Sequence, residues 1–157
     1  MALIKADFFS AALMRTVEIN VILPTDKLMN ALASEAMVGS SMNYNGDPEH
    51  SPYAREPKRF KTLYLLHGIF GNHTDWVSGT NIQRWAEERD LAVVMPSGEN
   101  MFYIDQPAQH NLFGRFIGEE LVAMTRAMFP LSDRREDTFI AGLSMGGYGA
   151  LRNGLKY

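Results

Sequence analysis

One five-residue pattern constrains the fold of this chain more than any other. Residues 142–146 read Gly-Leu-Ser-Met-Gly and directly follow the apolar run 138–141. A Gly-x-Ser-x-Gly sequence in this position is typical of a sharp turn from a strand into a helix, with the serine at its tip. Gly146, Gly147 and Gly149 open the segment after the turn, where each costs a helix about 1 kcal/mol on propensity. We therefore predict that close packing, not helix stability, selects these glycines.

Short apolar runs alternate with amphipathic segments over the second half of the chain. Runs 62–66, 91–95 and 138–141 predict strands buried on both faces. After the first run, a helix is predicted from about Thr80, with a Thr-x-x-Gln capping box and a buried face of Ile82, Trp85 and Ala86. After the second, a longer helix is predicted to end at Pro130, with apolar residues at helical spacing: Phe113, Phe116, Ile117, Leu121, Met124 and Met128.

This alternation predicts the fold class. Strand, helix, strand, helix, strand is the order of an α/β protein with a mostly parallel sheet and helices on both faces. Nearer the N-terminus, the alternating stretch 16–23 predicts a half-exposed strand in an antiparallel pair. Residues 26–61 lose this periodicity, so we expect a loop insertion with a short helix over 26–38.

Ser144 is the candidate nucleophile. A strained turn projects the serine hydroxyl out of the sheet, where it can attack a carbonyl carbon. The tetrahedral intermediate of such a reaction needs two backbone N–H donors for its oxyanion. We assign these donors to Met145, which follows the nucleophile, and to Ile69, in the loop that follows the strand 62–66.

Other residues near the strand ends have two interpretations each. We interpret His67 as a residue that fixes its loop by a hydrogen bond, in preference to a catalytic base. Aromatic residues that follow strand ends can line a substrate pocket or simply pack in the interior. The candidates for the pocket are Phe70, Trp76, Phe102 and Tyr103.

Three stretches together carry a family resemblance: residues 64–68 with Asn72 and Trp76, residues 93–96, and residues 139–149. They resemble the esterase D family of α/β-hydrolases, and within it the tributyrin (acetyl) esterases. The resemblance implies a serine carboxylesterase that hydrolyses short-chain acyl esters, of the acetyl or butyryl type, through an acyl-enzyme on Ser144. It also implies that no metal or organic cofactor takes part.

Thioesterase and acyltransferase activities remain alternatives to the carboxylesterase, because they can use the same half-site. Among thioesterases, the related S-formylglutathione hydrolases typically have a cysteine in the oxyanion loop. This chain has no cysteine, which argues against that group.

The catalytic set that the fold requires is incomplete. In an α/β-hydrolase the triad runs Ser, then Asp or Glu, then His, but residues 145–157 contain no acid and no histidine. We therefore expect residues 1–157 to be the N-terminal portion of a single α/β-hydrolase domain, lacking its C-terminal strands, acid and histidine. A base from His50 or His110, oriented by Asp105, would need a different topology. The alternative is a non-catalytic truncated fragment or pseudoenzyme.

Charge and composition limit the classes of binding partner that we expect. A net charge of −3 gives no basic surface for nucleic acid, and no run approaches the roughly 18 apolar residues of a membrane span. The absence of cysteine excludes thiolate catalysis. We expect a cytoplasmic protein with a small-molecule ester as its substrate, and as its macromolecular partner either a second copy of itself or a complementary C-terminal fragment.

Overall fold

The computed structural model describes residues 1–39 and 58–157. Its main sheet has the strand order β1-β2-β4-β3-β7. The five strands are β1 (Ala2–Ser10), β2 (Arg15–Leu23), β3 (Lys61–Leu66), β4 (Leu91–Pro96) and β7 (Thr138–Gly142). β4 and β7 both run parallel to β3, whereas β2 is antiparallel to its neighbours β1 and β4. Four of the five strands therefore share one direction, which confirms the predicted mostly parallel sheet.

The helices follow the strands in the predicted order. They are α1 (Asp26–Gly39), α2 (Asp75–Gly79), α3 (Ile82–Glu88), α4 (Phe113–Arg115), α5 (Leu121–Met128) and α6 (Met145–Lys156), and a π-helical stretch, Phe116–Glu120, joins α4 to α5. A small hairpin of β5 (Asp105–Gln106) and β6 (Asn111–Leu112) precedes α4. Helix α1 confirms the helix expected in the insertion, whose residues 40–57 lie outside the described part.

Two apolar layers cover the two faces of the sheet, as predicted for an α/β protein. Alternate residues of β3 point to opposite faces: Tyr64 and Leu66 join a core with residues of α4, α5 and α6. Leu65 instead joins a second core with Ile82 and Ala86 of α3. The parallel strands β3 and β4 are thus buried between helices, and their carboxyl ends meet at one edge of the domain.

Several local predictions were wrong. Trp85 is exposed, because the short helix α3 turns only Ile82 and Ala86 fully towards the sheet. The capping box does not form: Asn81 is the N-cap residue and makes no side-chain capping bond, although Thr80 Oγ1 accepts the Ile82 N–H. Met128 is also exposed, because the π-helical stretch shifts the apolar phase and places Thr125 at the core position.

Two strands also differ from prediction in burial. The second half of β2 is buried rather than half-exposed, because β1 and β4 flank this strand and both cores contact it. β7 is only partly buried, with Phe139 exposed, because β3 is its only neighbour in the sheet as described. Across residues 1–39 and 58–157, no helix has the length and apolar character that crossing a bilayer requires.

Candidate active site

Ser144 lies between β7 and α6, at the tip of the predicted strand-to-helix turn. Its φ of 53° and ψ of −113° place it outside the regions that residues with a side chain normally adopt. Such a conformation costs on the order of 1–3 kcal/mol and persists only when the surroundings enforce it. Here the Leu143 N–H donates to Leu66 O at 3.2 Å and the Gly146 N–H donates to Leu143 O at 2.8 Å. The turn therefore holds an exposed serine at the carboxyl edge of the sheet.

Close backbone approach explains two of the glycines around the serine. A Cβ atom on Gly142 would lie 2.8 Å from the Gly146 Cα, and one on Gly146 would lie 2.6 Å from His67 O and overlap Leu66 O. Real Cβ atoms do not approach other atoms this closely. The prediction that packing selects the glycines of this turn is confirmed at Gly146.

The loop after β3 lies directly against the turn that carries Ser144. Residues 68–71 form a β-turn in which the Gly71 N–H donates to Gly68 O at 3.2 Å, and Phe70 has a left-handed φ of 67°. A Cβ atom on Gly68 would lie 3.8 Å from the Ser144 Cβ. The structure therefore brings the two predicted donor segments, around Ile69 and Met145, to the same side of the sheet.

The two assigned donors differ in exposure. Ile69 is 45% exposed, whereas the side chain of Met145 is buried under the first turn of α6. The N–H groups of a first helical turn have no partner within the helix and carry partial positive charge, so they suit a developing anion. The arrangement can present backbone donors to an oxygen bound beside Ser144.

His67 fixes the loop after β3, as predicted. Its ring is almost fully buried, Nδ1 lies 2.6 Å from Gly68 O, and Nε2 accepts the Gly98 N–H at 2.8 Å. Because Nε2 accepts a hydrogen bond, the ring proton is on Nδ1. Both ring nitrogens therefore make hydrogen bonds within the chain.

The four candidate pocket residues separate into two pairs. Phe70 is 85% exposed, and Phe102 is exposed with its ring edge-on to Tyr148 at 6.2 Å between centroids. Trp76 instead packs against the core on the α3 side, and its Nε1 donates to Leu66 O at 3.2 Å. Tyr103 is fully buried, so its side chain packs in the interior, which was the second interpretation of these aromatic residues. This tyrosine packs behind the site, and burial raises the pKa of its hydroxyl above the usual value.

Two exposed residues beside Ser144 were missed by the sequence analysis. Leu143 precedes the serine and has a side-chain carbon 3.9 Å from where a Gly68 Cβ would lie. Tyr148 lies one helical turn after Ser144 and pairs with Phe102. The i+4 spacing on α6 was a signal for Tyr148, but nothing in the sequence indicated that it would meet Phe102.

The remaining histidines do not form a triad with Ser144 in the described structure. His73 is buried, its Nδ1 lies 2.8 Å from Ser97 Oγ, and burial lowers its pKa below the usual value. His110 is exposed on the β5–β6 hairpin, and Asp105 accepts the Arg115 N–H at 2.9 Å and lies 3.5 Å from Lys156 Nζ. His50 lies outside the described residues.

No group of three or more histidine, aspartate or glutamate side chains is arranged to bind a metal ion within residues 1–39 and 58–157. The chemistry that the site can perform from its own residues is nucleophilic attack by Ser144, with stabilisation of an oxyanion by backbone N–H groups.

Known proteins match most or all of this chain. The Esterase family model matches residues 34–157. An acetyl esterase from Caldicellulosiruptor saccharolyticus is 41% identical over 157 residues, which is 100% of this chain and 52% of that protein. The chain spans about half the length of this relative.

Two solved structures from Staphylococcus aureus are 32% identical to the chain, and in each the match covers 99% of this chain and 52% of the other. One is FphF, a fluorophosphonate-binding serine hydrolase, with a TM-score of 0.77. The other is the S-formylglutathione hydrolase FrmB, with a TM-score of 0.72. The chain therefore belongs to the Esterase family, a family of serine ester hydrolases built on the α/β-hydrolase fold.

Proposed function

We propose that this chain is the nucleophile-bearing portion of a serine carboxylesterase that hydrolyses short-chain acyl esters. The observation that carries the proposal is the conformation of Ser144, an exposed serine with a φ of 53° beside the loop after β3. Strain of this kind at an exposed side chain is characteristic of functional residues. The 41% identity to an acetyl esterase supports an acetyl or similarly short acyl group.

The proposed reaction has two steps at Ser144. In the first, Oγ attacks the ester carbonyl carbon, the bond to the alcohol oxygen breaks, and the alcohol leaves with the serine proton. In the second, water attacks the acyl-enzyme, releases the carboxylic acid and restores the hydroxyl. The Ile69 and Met145 N–H groups donate to the oxyanion in both steps, and losing one such donor typically lowers kcat by about 10²–10³.

A general base and its acid must come from outside the described residues. A serine without a base is weakly nucleophilic, and neither the described histidines nor residues 145–157 supply one. The chain spans about half the length of its acetyl esterase relative, so we propose that a complementary segment supplies the histidine and the acid. The side of β7 that has no strand partner among the described residues, where Phe139 and Ile140 border a cavity of about 370 Å³, is suited to receive it.

Exposed apolar side chains support a small, weakly polar substrate. Phe70, Phe102, Leu143 and Tyr148 are all exposed near the turn that carries Ser144. Aromatic and aliphatic surface of this kind binds the apolar part of an ester while leaving the carbonyl free to reach backbone donors.

Labelling with a fluorophosphonate tests the nucleophile and the complementary segment together. The reagent phosphonylates an activated serine and releases fluoride, and intact mass detects the adduct. We expect no adduct on the chain alone and a full adduct when it is co-expressed with the part of the acetyl esterase relative that the match leaves uncovered. Hydrolysis of p-nitrophenyl acetate should appear with the adduct.

The matched control is Ser144→Ala, which should abolish both adduct and hydrolysis. An adduct that persists in this variant would overturn the assignment of the nucleophile. An adduct on the chain alone would keep the nucleophile and overturn the complementary segment. No adduct in either preparation would favour a non-catalytic protein.

A thioester hydrolase is the second candidate, favoured by the 32% identity to FrmB. The same attack by Ser144 would then release a thiol instead of an alcohol. Comparing kcat/KM for an acetyl thioester and for p-nitrophenyl acetate separates the two: the carboxylesterase proposal requires the larger value for the oxygen ester. A small alcohol added as acceptor would reveal acyl transfer as an ester product.

A further inference from the structure

The peptide group between Gly68 and Ile69 is held from one side. Gly68 O accepts a hydrogen bond from the His67 ring, with Nδ1 at 2.6 Å, and another from the Gly71 N–H at 3.2 Å. Because a trans peptide is planar, fixing the direction of Gly68 O also fixes the Ile69 N–H, which points the opposite way. The orientation of this N–H is therefore determined by the partners of the carbonyl.

The hydrogen bonds of the buried His67 ring fix one tautomer of the imidazole. Nε2 accepts the Gly98 N–H at 2.8 Å, which places the ring proton on Nδ1, where it donates to Gly68 O. The opposite tautomer would put two donors face to face at Gly98 and two acceptors at Gly68. The bond at Nδ1 lies within the loop after β3, and the bond at Nε2 connects this loop to the loop after β4.

Tyr103 holds the same loop from behind. Its hydroxyl donates to His67 O at 3.0 Å, and its ring lies edge-on to the His67 ring at 5.8 Å between centroids. The Tyr103 ring is wedged between two glycines: a Cβ on Gly149 would lie 2.5 Å from it, and one on Gly98 would overlap it.

Tyr103 also connects to the helix that carries the second donor. Asn153 of α6 donates from Nδ2 to Tyr103 O at 3.2 Å. Helix α6 begins at Met145, so Tyr103 and Asn153 together link the Ile69 loop to the element that presents the Met145 N–H. These contacts join the two donor segments independently of Ser144.

We propose that His67 and Tyr103 are positioning residues that orient the Ile69 N–H for the oxyanion. The inference rests on the proposed function for its catalytic meaning, because the donor matters only if an oxyanion forms beside Ser144. Neither residue touches the substrate. Loosening the donor should lower the rate of the chemical step about tenfold, less than the 10²–10³ for losing a donor outright, with KM almost unchanged.

Nuclear magnetic resonance of the ¹⁵N-labelled 157-residue chain tests the positioning without relying on catalysis. The imidazole ¹⁵N shifts of His67 should report the Nδ1–H tautomer. The Ile69 N–H should have an order parameter of about 0.85, the value of a rigid backbone. A Nε2–H tautomer, or a mobile Ile69 N–H in the unsubstituted chain, would overturn the proposal.

Two substitutions of His67 separate its two hydrogen bonds. His67→Asn can keep a donor near the position of Nδ1, whereas His67→Gln can keep an acceptor near the position of Nε2. We expect the Ile69 order parameter to stay near 0.85 in His67→Asn and to fall to about 0.6 in His67→Gln. Equal values in two folded variants would contradict the role of the Gly68 carbonyl.

Tyr103→Phe has a matched control in Tyr64→Phe and keeps the proposal testable if the His67 variants do not fold. Tyr64 is also buried and makes one hydroxyl hydrogen bond, to Thr125 Oγ1 at 2.8 Å, away from the loop. Tyr103→Phe should lower the Ile69 order parameter, whereas Tyr64→Phe should not. Equal effects would mean that Tyr103 is only structural.

The fluorophosphonate reaction of the complemented protein shows whether the positioning matters for catalysis. Tyr103→Phe should slow labelling about tenfold, and Tyr64→Phe should leave it unchanged. A correct tautomer and a rigid Ile69 N–H with no labelling at all would refute the proposed function but not the geometry. Normal labelling in Tyr103→Phe would refute the positioning role while the esterase proposal stands.

Discussion

The two sides of Ser144 differ in how completely they are packed. Towards β3, the turn lies against Gly68 and against the backbone of Leu66 and His67. Away from β3, α6 exposes Leu151 and Leu155, the latter 88% exposed, and β7 exposes Phe139. The conformation of the nucleophile is thus imposed from the β3 side, whereas we propose that the groups that activate it lie on the side that the described residues leave open.

Gly146→Ala should have the largest effect, because it tests the packed side directly. The added methyl group would overlap Leu66 O and lie 2.6 Å from His67 O, both backbone atoms that cannot move aside easily. Overpacking against backbone should cost about 3 kcal/mol in the free energy of unfolding, measured by urea denaturation. Gly79→Ala is the control, since nothing lies within 4 Å of its added methyl group. A stable Gly146→Ala variant would contradict the tight packing on the β3 side of Ser144.

Truncating two leucines compares the interior with the open side. Leu121 is fully buried against the α4–α6 face of the sheet, so Leu121→Ala should lower the free energy of unfolding by about 3 kcal/mol. Leu155→Ala removes the same atoms from an exposed position and should change it by less than about 0.5 kcal/mol. A large loss of unfolding free energy for Leu155→Ala, measured at low protein concentration, would show that the face of α6 that carries Leu155 is covered in solution.

Ser144→Gly should stabilise the chain while removing the nucleophile. Glycine adopts a φ of 53° without steric cost, so relief of strain should add about 1 kcal/mol to the free energy of unfolding. Ser78→Gly, within α2, is the matched control and should instead cost about 0.5 kcal/mol. If Ser144→Gly is the less stable of the two, the turn is not strained.

The smallest predicted effect is a dependence of stability on pH. Burial holds the pKa of His73 below its usual value of 6.5, so the unfolded chain binds a proton more readily than the folded one. The stability contributed by neutral His73 is therefore present above about pH 6.5 and is lost as the pH falls below it. His73→Gln should flatten the loss between pH 7 and pH 5 in urea denaturation. An unchanged pH dependence in this variant would show that His73 is not responsible.

Local residue patterns correctly predicted those strands and helices whose formation depends mainly on their own sequence. Runs 62–66, 91–95 and 138–141 all lie in strands, and the helix over 26–38 is present. The wrong predictions concerned which side chains of an element face the core. Met128 is exposed because a π-helical stretch interrupts the helical period, and no residue in 113–128 signals that stretch in advance.

The candidate site shows the same division. Position 144 and its flanking glycines could be recognised from the sequence, since each residue of a strand-to-helix turn meets a local steric demand. The burial of Tyr103 could not be recognised from the sequence, because its partners are 36 residues away in His67 and 46 residues away in Gly149.

The sequence by itself determined the strand-turn-helix around Ser144, the alternation of β3, β4 and β7 with helices, and the need for glycine at Gly146. The tertiary structure alone decided that β2 is buried, that His67 carries its proton on Nδ1, and that Tyr103 supports the loop after β3. The physical reason is range: periodicity and sterics act over a few neighbouring residues, whereas burial and hydrogen-bond partners depend on which strands become neighbours in the sheet.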